Sequence, residues 1–247
     1  FNFKKIFVVP AMTDDGTASG AAIISAIKQK SNIRWIKKFH IPYFGDKYTQ
    51  KQILNCLKIN SNRISFNYLG DDWPLSASNS ILNNEVIAVF NNSMEYGPRA
   101  LGNRSILANA FNPNMRNILN LKVKRRPKYQ PFCPSVLKED REKLFISSFD
   151  HKFMAIAFRL KKKFWKLIPS MIHIDGTSRP QFVDKNDNKD FYKILKNIKK
   201  KKNYGVVLNT SFNLHGRAMV RTPEDAIDDF LDCNIDKLYL GGFLVTK

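Results

Sequence analysis

The chain has 247 residues, of which 43% are hydrophobic, and its formal net charge is +20. That length and apolar content exclude a disordered chain and allow one large or two modest domains. No apolar run approaches the roughly 18 residues of a membrane span, and Cys56, Cys133 and Cys233 have neither paired nor zinc-type spacing.

A reduced, cytoplasmic protein is the reading that fits those cysteines. The charge invites a polyanion partner. However, its densest run, Lys199–Lys202, closes an amphipathic segment, where lysines suit a helix C-terminus. The run therefore reads either as a solvated face or as a functional patch.

Taken in chain order, residues 6–10 predict a strand. No signal-peptide pattern opens the sequence, and this immediate strand leads us to expect an earlier segment. The small-residue loop 13–20 follows, and then a helix over 21–29. Strand, glycine-containing loop and helix is the general arrangement of a phosphate-binding turn, without a Walker pattern. A helix is expected over 49–58, and the turn signals at Gly70-Asp71-Asp72-Trp73-Pro74 mark a boundary between units 1–72 and 73–247. Beyond it we expect a serine-capped helix at 76–82, a strand at 85–90, a dense loop at 94–105 and a helix at 115–122. Strands at 153–160 and 171–174 follow, then a helix at 191–200 and a short strand at 206–208. A Thr222-capped helix at 223–231 and a strand at 238–245 close the chain. Strands and helices alternate without repeats, which gives a mixed α/β architecture.

Four polar segments carry the chemistry. In "EYGPRALGNRS", Arg99 and Arg104 offer planar forks suited to phosphate or carboxylate. The alternative is that either pairs with Glu95 to brace the loop. In "KRRP", Lys124 and Arg126 would share a face if the chain is extended, and two convergent cations call for an anion between them. The alternative is a solvated basic segment. In "HIDGTSRPQ", His173 is either a ligand-facing group or a hydrogen-bonded strand-end histidine, and Arg179 is the stronger candidate. In "VVLNTSFNLHG", a buried strand runs into Asn209, Thr210, Ser211 and Asn213, which bond either a ligand or the turn itself.

Together, "MEYGPRALGNRSILA", "VKRRP…PFCPSVL", "HIDGTSRPQ" and "VLNTSFNLHG" resemble the C-terminal domain of the NodU/TobZ-type O-carbamoyltransferases, in order through about residues 75–247. Residues 6–25, with "DDGTASGAA", resemble the last segment of that family's N-terminal, actin-like ATPase-type domain. The resemblance implies a YrdC-like twisted mixed sheet with flanking helices, preceded by a remnant of the actin-like domain. It implies that ATP, with Mg²⁺, and carbamoyl phosphate give carbamoyl-adenylate, and that the carbamoyl group then passes to a hydroxyl of a sugar-like or natural-product acceptor. The family's Lys-x-Arg and Ser-x-Asn fall on Lys124/Arg126 and Ser211/Asn213. Lys124, Arg126, Arg179 and Ser211 take the catalytic roles by this resemblance. Asn209, Thr210, Asn213, Arg99, Arg104 and His173 hold the nucleotide.

Asp14 resembles a ligand of an iron-type metal in the first domain, and an unpaired loop aspartate is the other reading. Gln130, where the family has a second arginine, and Asn92, where it has glycine, depart from the pattern. The other readings are a YrdC-like enzyme of tRNA threonylcarbamoylation and a non-catalytic nucleotide- or RNA-binding module. No membrane or nucleic-acid partner is expected, and a homodimer is allowed.

Overall fold

A computed structural model describes residues 8–34 and 41–247. Its centre is an eight-stranded mixed sheet in the order β1-β10-β9-β2-β3-β8-β4-β7. The strands are β1 (Ser65–Tyr68), β2 (Ile87–Phe90), β3 (Arg104–Ala108), β4 (Cys133–Leu137), β7 (Gln181–Val183), β8 (Val206–Ser211), β9 (Lys237–Leu240) and β10 (Phe243–Thr246). A separate pair joins β5 (Phe158–Arg159) to β6 (Thr177–Ser178). The β2–β9 and β4–β7 pairings are parallel, and the other pairings in the large sheet are antiparallel.

Both faces of the sheet are covered, and the period-two pleat sorts the residues between them. Ile87 and Val89 of β2, Leu107 of β3 and Val207 of β8 pack with α3 (Trp73–Leu82) and α6 (Lys189–Lys202). Ala88, Phe90, Ile106, Leu208 and Val206 face α2 (Gln50–Ile59) and α7 (Pro223–Asp232). Strands buried on both faces read as continuous apolar runs, which is why "VIAVF" and "GVVL" are so plain in the sequence. Helix α6 buries Phe191, Ile194, Leu195 and Ile198 on one stripe, each contributing about 1.5–3 kcal/mol. Helices α2 and α7 open with capping boxes, from Thr49 to Gln52 and from Thr222 to Asp225.

Several expectations shift. Strand β1, which precedes the boundary expected at residue 72, pairs with β10 along its whole length. Of the strand expected at 6–10, residues 6 and 7 lie outside the described residues and 8–10 are irregular. The expected phosphate-type loop at 13–20 is mostly helix: α1 spans Asp15–Lys28, so Gly16 and Gly20 are helical residues. Strands expected at 153–160 and 171–174 reduce to β5 and a 3₁₀ turn at Pro169–Met171. The last expected strand is two, β9 and β10, turned by Gly241 and Gly242 at φ +56° and +91°. The helix expected at 76–82 starts earlier at Trp73, with Pro74 in its first turn and no serine cap. The 206–208 strand continues to Ser211, so Asn209, Thr210 and Ser211 are strand and Asn213 lies in the bend beyond it.

Candidate functional site

The site forms where β8 runs out past β3 and β4. Asn209 continues the face of Val207, is buried, and has Leu107 and Cys133 as its strand partners. Its Nδ2 donates to Ser135 Oγ at 2.9 Å and to the Ala100 carbonyl at 3.3 Å. Ser135 donates to Gln181 Oε1 at 2.7 Å, and Gln181 Nε2 donates to the Leu101 carbonyl at 2.9 Å. This buried chain ties β8, β4 and β7 to the loop carrying Arg99. Ser135 and Gln181 were not among the expected site residues. Both lie inside the quoted motifs, and only the strand pairing shows that they meet Asn209.

A cavity of about 120 Å³ opens over this network. Arg99, Arg126, Arg179, Asn209, Thr210 and Ser211 line it, with Phe132, Cys133 and Met154 as its apolar wall. Six residues expected from four distant segments are thus brought to one hollow. None of the three arginines meets a carboxylate among the described residues. Arg99 Nε is buried without a partner among the described residues. Arg126 donates through Nε to Asn120 Oδ1 at 2.7 Å and lies over the Phe132 ring at 4.4 Å. Asn120, also missed, fixes the basic loop further by donating to the carbonyls of Lys128 and Gln130.

Lys124 sits beside the cavity rather than in its wall. The segment does not meet the condition of an extended chain: the helix expected at 115–122 ends in a π-helical turn at Leu119–Val123, Lys124 closes it, and Arg125 takes φ +48°. The Lys124 ammonium donates to Asn213 Oδ1 at 2.7 Å and to the backbone carbonyls of Ser211 and Asn213 at 2.9 and 3.0 Å. Ser211 Oγ donates to the same Asn213 Oδ1 at 2.7 Å. Burial, and then the neighbouring Arg126 charge, push Lys124 down to about 8. Lys124 and the Ser-x-Asn pair therefore form one hydrogen-bonded node, while Arg126 bonds outside it, to Asn120 and the Pro131 carbonyl.

Arg104 has another role. It is fully buried, its guanidinium carbon stands 3.6 Å from the Phe90 centroid, and it donates to the carbonyls of Asn91, Asn92 and Asp46. It holds the backbone behind the loop and does not line the cavity. Glu95 pairs with neither arginine: its Oε1 accepts from the backbone N–H groups of Leu101, Asn103 and Arg104 at 2.7, 2.7 and 3.1 Å. Asn103 in turn meets Asn188, the cap of α6, at 2.9 Å. The loop is thus braced from behind while Arg99 is left free in front.

His173 lines a second cavity, of about 420 Å³, beside the first. Burial, and then the Arg179 charge, hold it below its usual value, so it is neutral at pH 7. Asp14 is exposed at the start of α1. Among the described residues no group of three or more His, Cys, Asp or Glu side chains could hold a metal ion. Asp14 therefore does not fit an iron-type site on its own. No helix among the described residues is long and apolar enough to cross a membrane.

Residues 78–247 match the family described as Carbamoyltransferase C-terminus. The chain is 52% identical over 247 residues to an uncharacterized protein of Methanocaldococcus jannaschii, covering 99% of this chain and 41% of that protein. It is 34% identical to the nodulation protein NolO of Bradyrhizobium diazoefficiens, covering 99% of this chain and 45% of the relative. It is 28% identical to the 3'-hydroxymethylcephem-O-carbamoyltransferase of Streptomyces clavuligerus, over 92% of this chain and 41% of that enzyme. The chain thus spans less than half the length of these relatives. Among solved structures, full-length HypF in its phosphate- and nucleotide-bound form aligns at TM-score 0.51 and 17% identity, over 72% of this chain and 22% of that one. P. abyssi Sua5 complexed with L-threonine aligns at TM-score 0.50 and 12% identity, over 70% of this chain and 48% of its own. At these identities they establish the YrdC-like fold of the sheet and nothing finer. Family match, relatives and fold agree, and the chain belongs to the carbamoyltransferase C-terminal family.

Proposed function

We propose that this chain forms carbamoyl-adenylate in the 120 Å³ cavity, as the activating part of an O-carbamoyltransferase. The observation that carries the reading is three arginines without carboxylate partners, converging on a strand end that carries Asn209, Thr210 and Ser211. Unpaired cations around a hollow of polar hydrogen-bonding groups suit an oxyanion-rich ligand.

In the balanced reaction, water releases orthophosphate from carbamoyl phosphate and leaves carbamate. A carbamate oxygen then bonds to the α-phosphorus of ATP, the α–β phosphoanhydride breaks, and pyrophosphate leaves. No side-chain nucleophile is needed. Arg99, Arg126 and Arg179 stabilise the charge that gathers on the phosphoryl oxygens. Thr210 and Ser211 orient the acyl and phosphoryl groups, and buried Asn209 fixes the strand beneath them. Lys124 holds Ser211 and Asn213 in register. Mg²⁺ would arrive on the nucleotide, since such ions are held largely by phosphates and water.

In the longer relatives' arrangement, the carbamoyl group would next pass to a hydroxyl acceptor, with residues 8–34 belonging to the transferring part. The free cysteines fit a cytoplasmic protein. The test is pyrophosphate release from ATP by the full chain, with and without carbamoyl phosphate. Release that requires carbamoyl phosphate and disappears in Lys124→Ala and Arg126→Ala is expected. Carbamoyl-phosphate-independent release, or full release from Arg126→Ala, would remove the proposal.

A further inference from the structure

Helix α7 ends on two acids that a helix does not favour there. Asp229 and Asp232 lie in its last turn, which holds no basic residue, and the negative end of the helix dipole opposes a carboxylate. Asp229 is also buried, beside Ala226, Ile227 and Phe230. A buried carboxylate is costly unless it is paired and hydrogen-bonded. Among the described residues, both side-chain bonds of Asp229 run to the turn that follows β8. Its Oδ2 accepts from the Leu214 backbone N–H at 2.9 Å, and its Oδ1 from the Arg217 guanidinium at 2.6 Å. Asp232 accepts from the other terminal nitrogen of the same guanidinium at 2.7 Å.

The turn held in this way reaches the Lys124 node. Gly216, at φ +87°, brings the chain round, and the Arg217 carbonyl then accepts from Asn213 Nδ2 at 2.7 Å. That bond decides how the Asn213 amide is turned. An amide has one accepting and one donating end, and an ammonium can only donate. With Nδ2 on the Arg217 carbonyl, Oδ1 faces the Lys124 ammonium and the Ser211 hydroxyl, each at 2.7 Å. A flipped amide would set its N–H donors against the ammonium. On the other side of the node, the Arg125 guanidinium donates to the Asp232 carbonyl at 3.3 Å. One helix turn thus grips both the 124–126 and the 211–217 segments.

We propose that Asp229 is a positioning residue for carbamoyl-adenylate formation: through Leu214 and Arg217 it holds Asn213 with its oxygen toward Lys124 and Ser211. The inference rests on the adenylate-forming reading of the 120 Å³ cavity, whose wall Asp229 does not line. The Asp229 charge also supports the Lys124 ammonium against burial and the Arg126 charge. The remaining titratable neighbour, the Cys233 thiol, is pushed up to about 11 by burial and then by Asp229, so it is uncharged at pH 8.

The test is a double-mutant cycle on carbamoyl-phosphate-dependent pyrophosphate release by the full chain, with Asp229→Asn, Asn213→Ala and the two combined. Each single variant is expected to lose roughly tenfold or more in kcat, and the combined variant to stay within about twofold of the slower single one, because Asp229 acts through Asn213. The pH at which affinity for inorganic tripolyphosphate falls is expected to move down by about half a unit in Asp229→Asn, which loosened packing alone does not produce. Asp228→Asn, on the same helix and paired with half-exposed Arg63, should keep the parent's rate and profile. Where Asp229→Asn melts below the assay temperature, Arg217→Ala takes its place in the cycle, with a loss of about threefold or more. Losses that multiply in the combined variant, a parent-like rate in the variant used, or an unmoved pH profile in Asp229→Asn would overturn the assignment and leave the adenylate-forming reading standing. A parent chain that releases no pyrophosphate removes that reading, and this inference with it.

Discussion

Arg99 and Arg104 stand five residues apart in one loop, and the fold treats them in opposite ways. Arg104 is buried against Phe90 and donates to four backbone carbonyl groups, from residues 46, 91, 92 and 103. Arg99 borders a cavity with its Nε unmet. Identical side chains thus serve as a brace and as an unfilled contact, and the difference lies in what the fold places opposite each. Arg104 Nε is also without a partner among the described residues, but both its terminal nitrogens are spent on carbonyl groups behind the loop, away from the cavity. An arginine left unpaired in a hollow carries a standing cost that an anion would relieve.

The comparison can be broken most sharply at Arg104. Arg104→Ala strands several buried carbonyls and opens a cavity beside Phe90, and should cost about 3–5 kcal/mol. A thermal melt should show Tm falling by roughly 6–20 °C for a chain of this size. A melt within a degree or two of the parent would mean that the brace is idle.

Arg99→Ala should do the reverse. It removes an unmet donor, so the melt should stay within about 0.5 kcal/mol of the parent. Pyrophosphate release should fall about 10²–10³-fold, the usual loss for one charge-stabilising donor. A variant that unfolds without a specific kinetic defect would show that Arg99 is a second brace.

The Lys124 node supplies a pH signature. Its ammonium is pushed down to about 8, so the free chain carries the charge below that value and loses it above. Affinity for inorganic tripolyphosphate should therefore fall as pH rises through about 8. Lys124→Gln should flatten the step. A parent profile that is level from pH 7 to 9 would show that the ammonium does not act on the anion.

The smallest effect is expected at Tyr96, whose hydroxyl meets Ser19 Oγ at 2.6 Å and the Asp15 carbonyl at 3.1 Å. Tyr96→Phe should cost about 1 kcal/mol. Faster amide exchange confined to α1 would localise that loss, because α1 buries no residue of its own.

What the sequence discloses follows from this contrast. Doubly buried strands such as β2 and the apolar half of β8 announce themselves as unbroken runs, and Thr49 and Thr222 mark their helices through their caps. The polar motifs announce that a site exists. They do not separate Arg99 from Arg104, because that depends on carbonyls from residues 46, 91 and 92. Strand β4 hides behind Pro134, which reads as a breaker although the strand is paired on both sides. Helix α1 starts through Gly16, Thr17 and Gly20, poor helix formers that read as a loop. Ser135 and Gln181 matter only because β4 and β7 lie side by side, a parallel pairing with no local signal.

The π-helical turn at Leu119–Val123 has a consequence for how such a chain can change over evolutionary time. A π turn holds one residue more than the α-helical turn it replaces. Deleting a single residue there would restore regular winding and leave the residues on either side close to their present phase about the helix axis, because the extra residue is what the wider turn absorbs. The Lys124 amine would then keep Asn213 within reach, whereas a deletion just beyond the turn would have no wider turn to absorb it. One-residue length changes within this short stretch are thus a route by which descendants of this protein can vary the backbone leading to the site while keeping its chemistry.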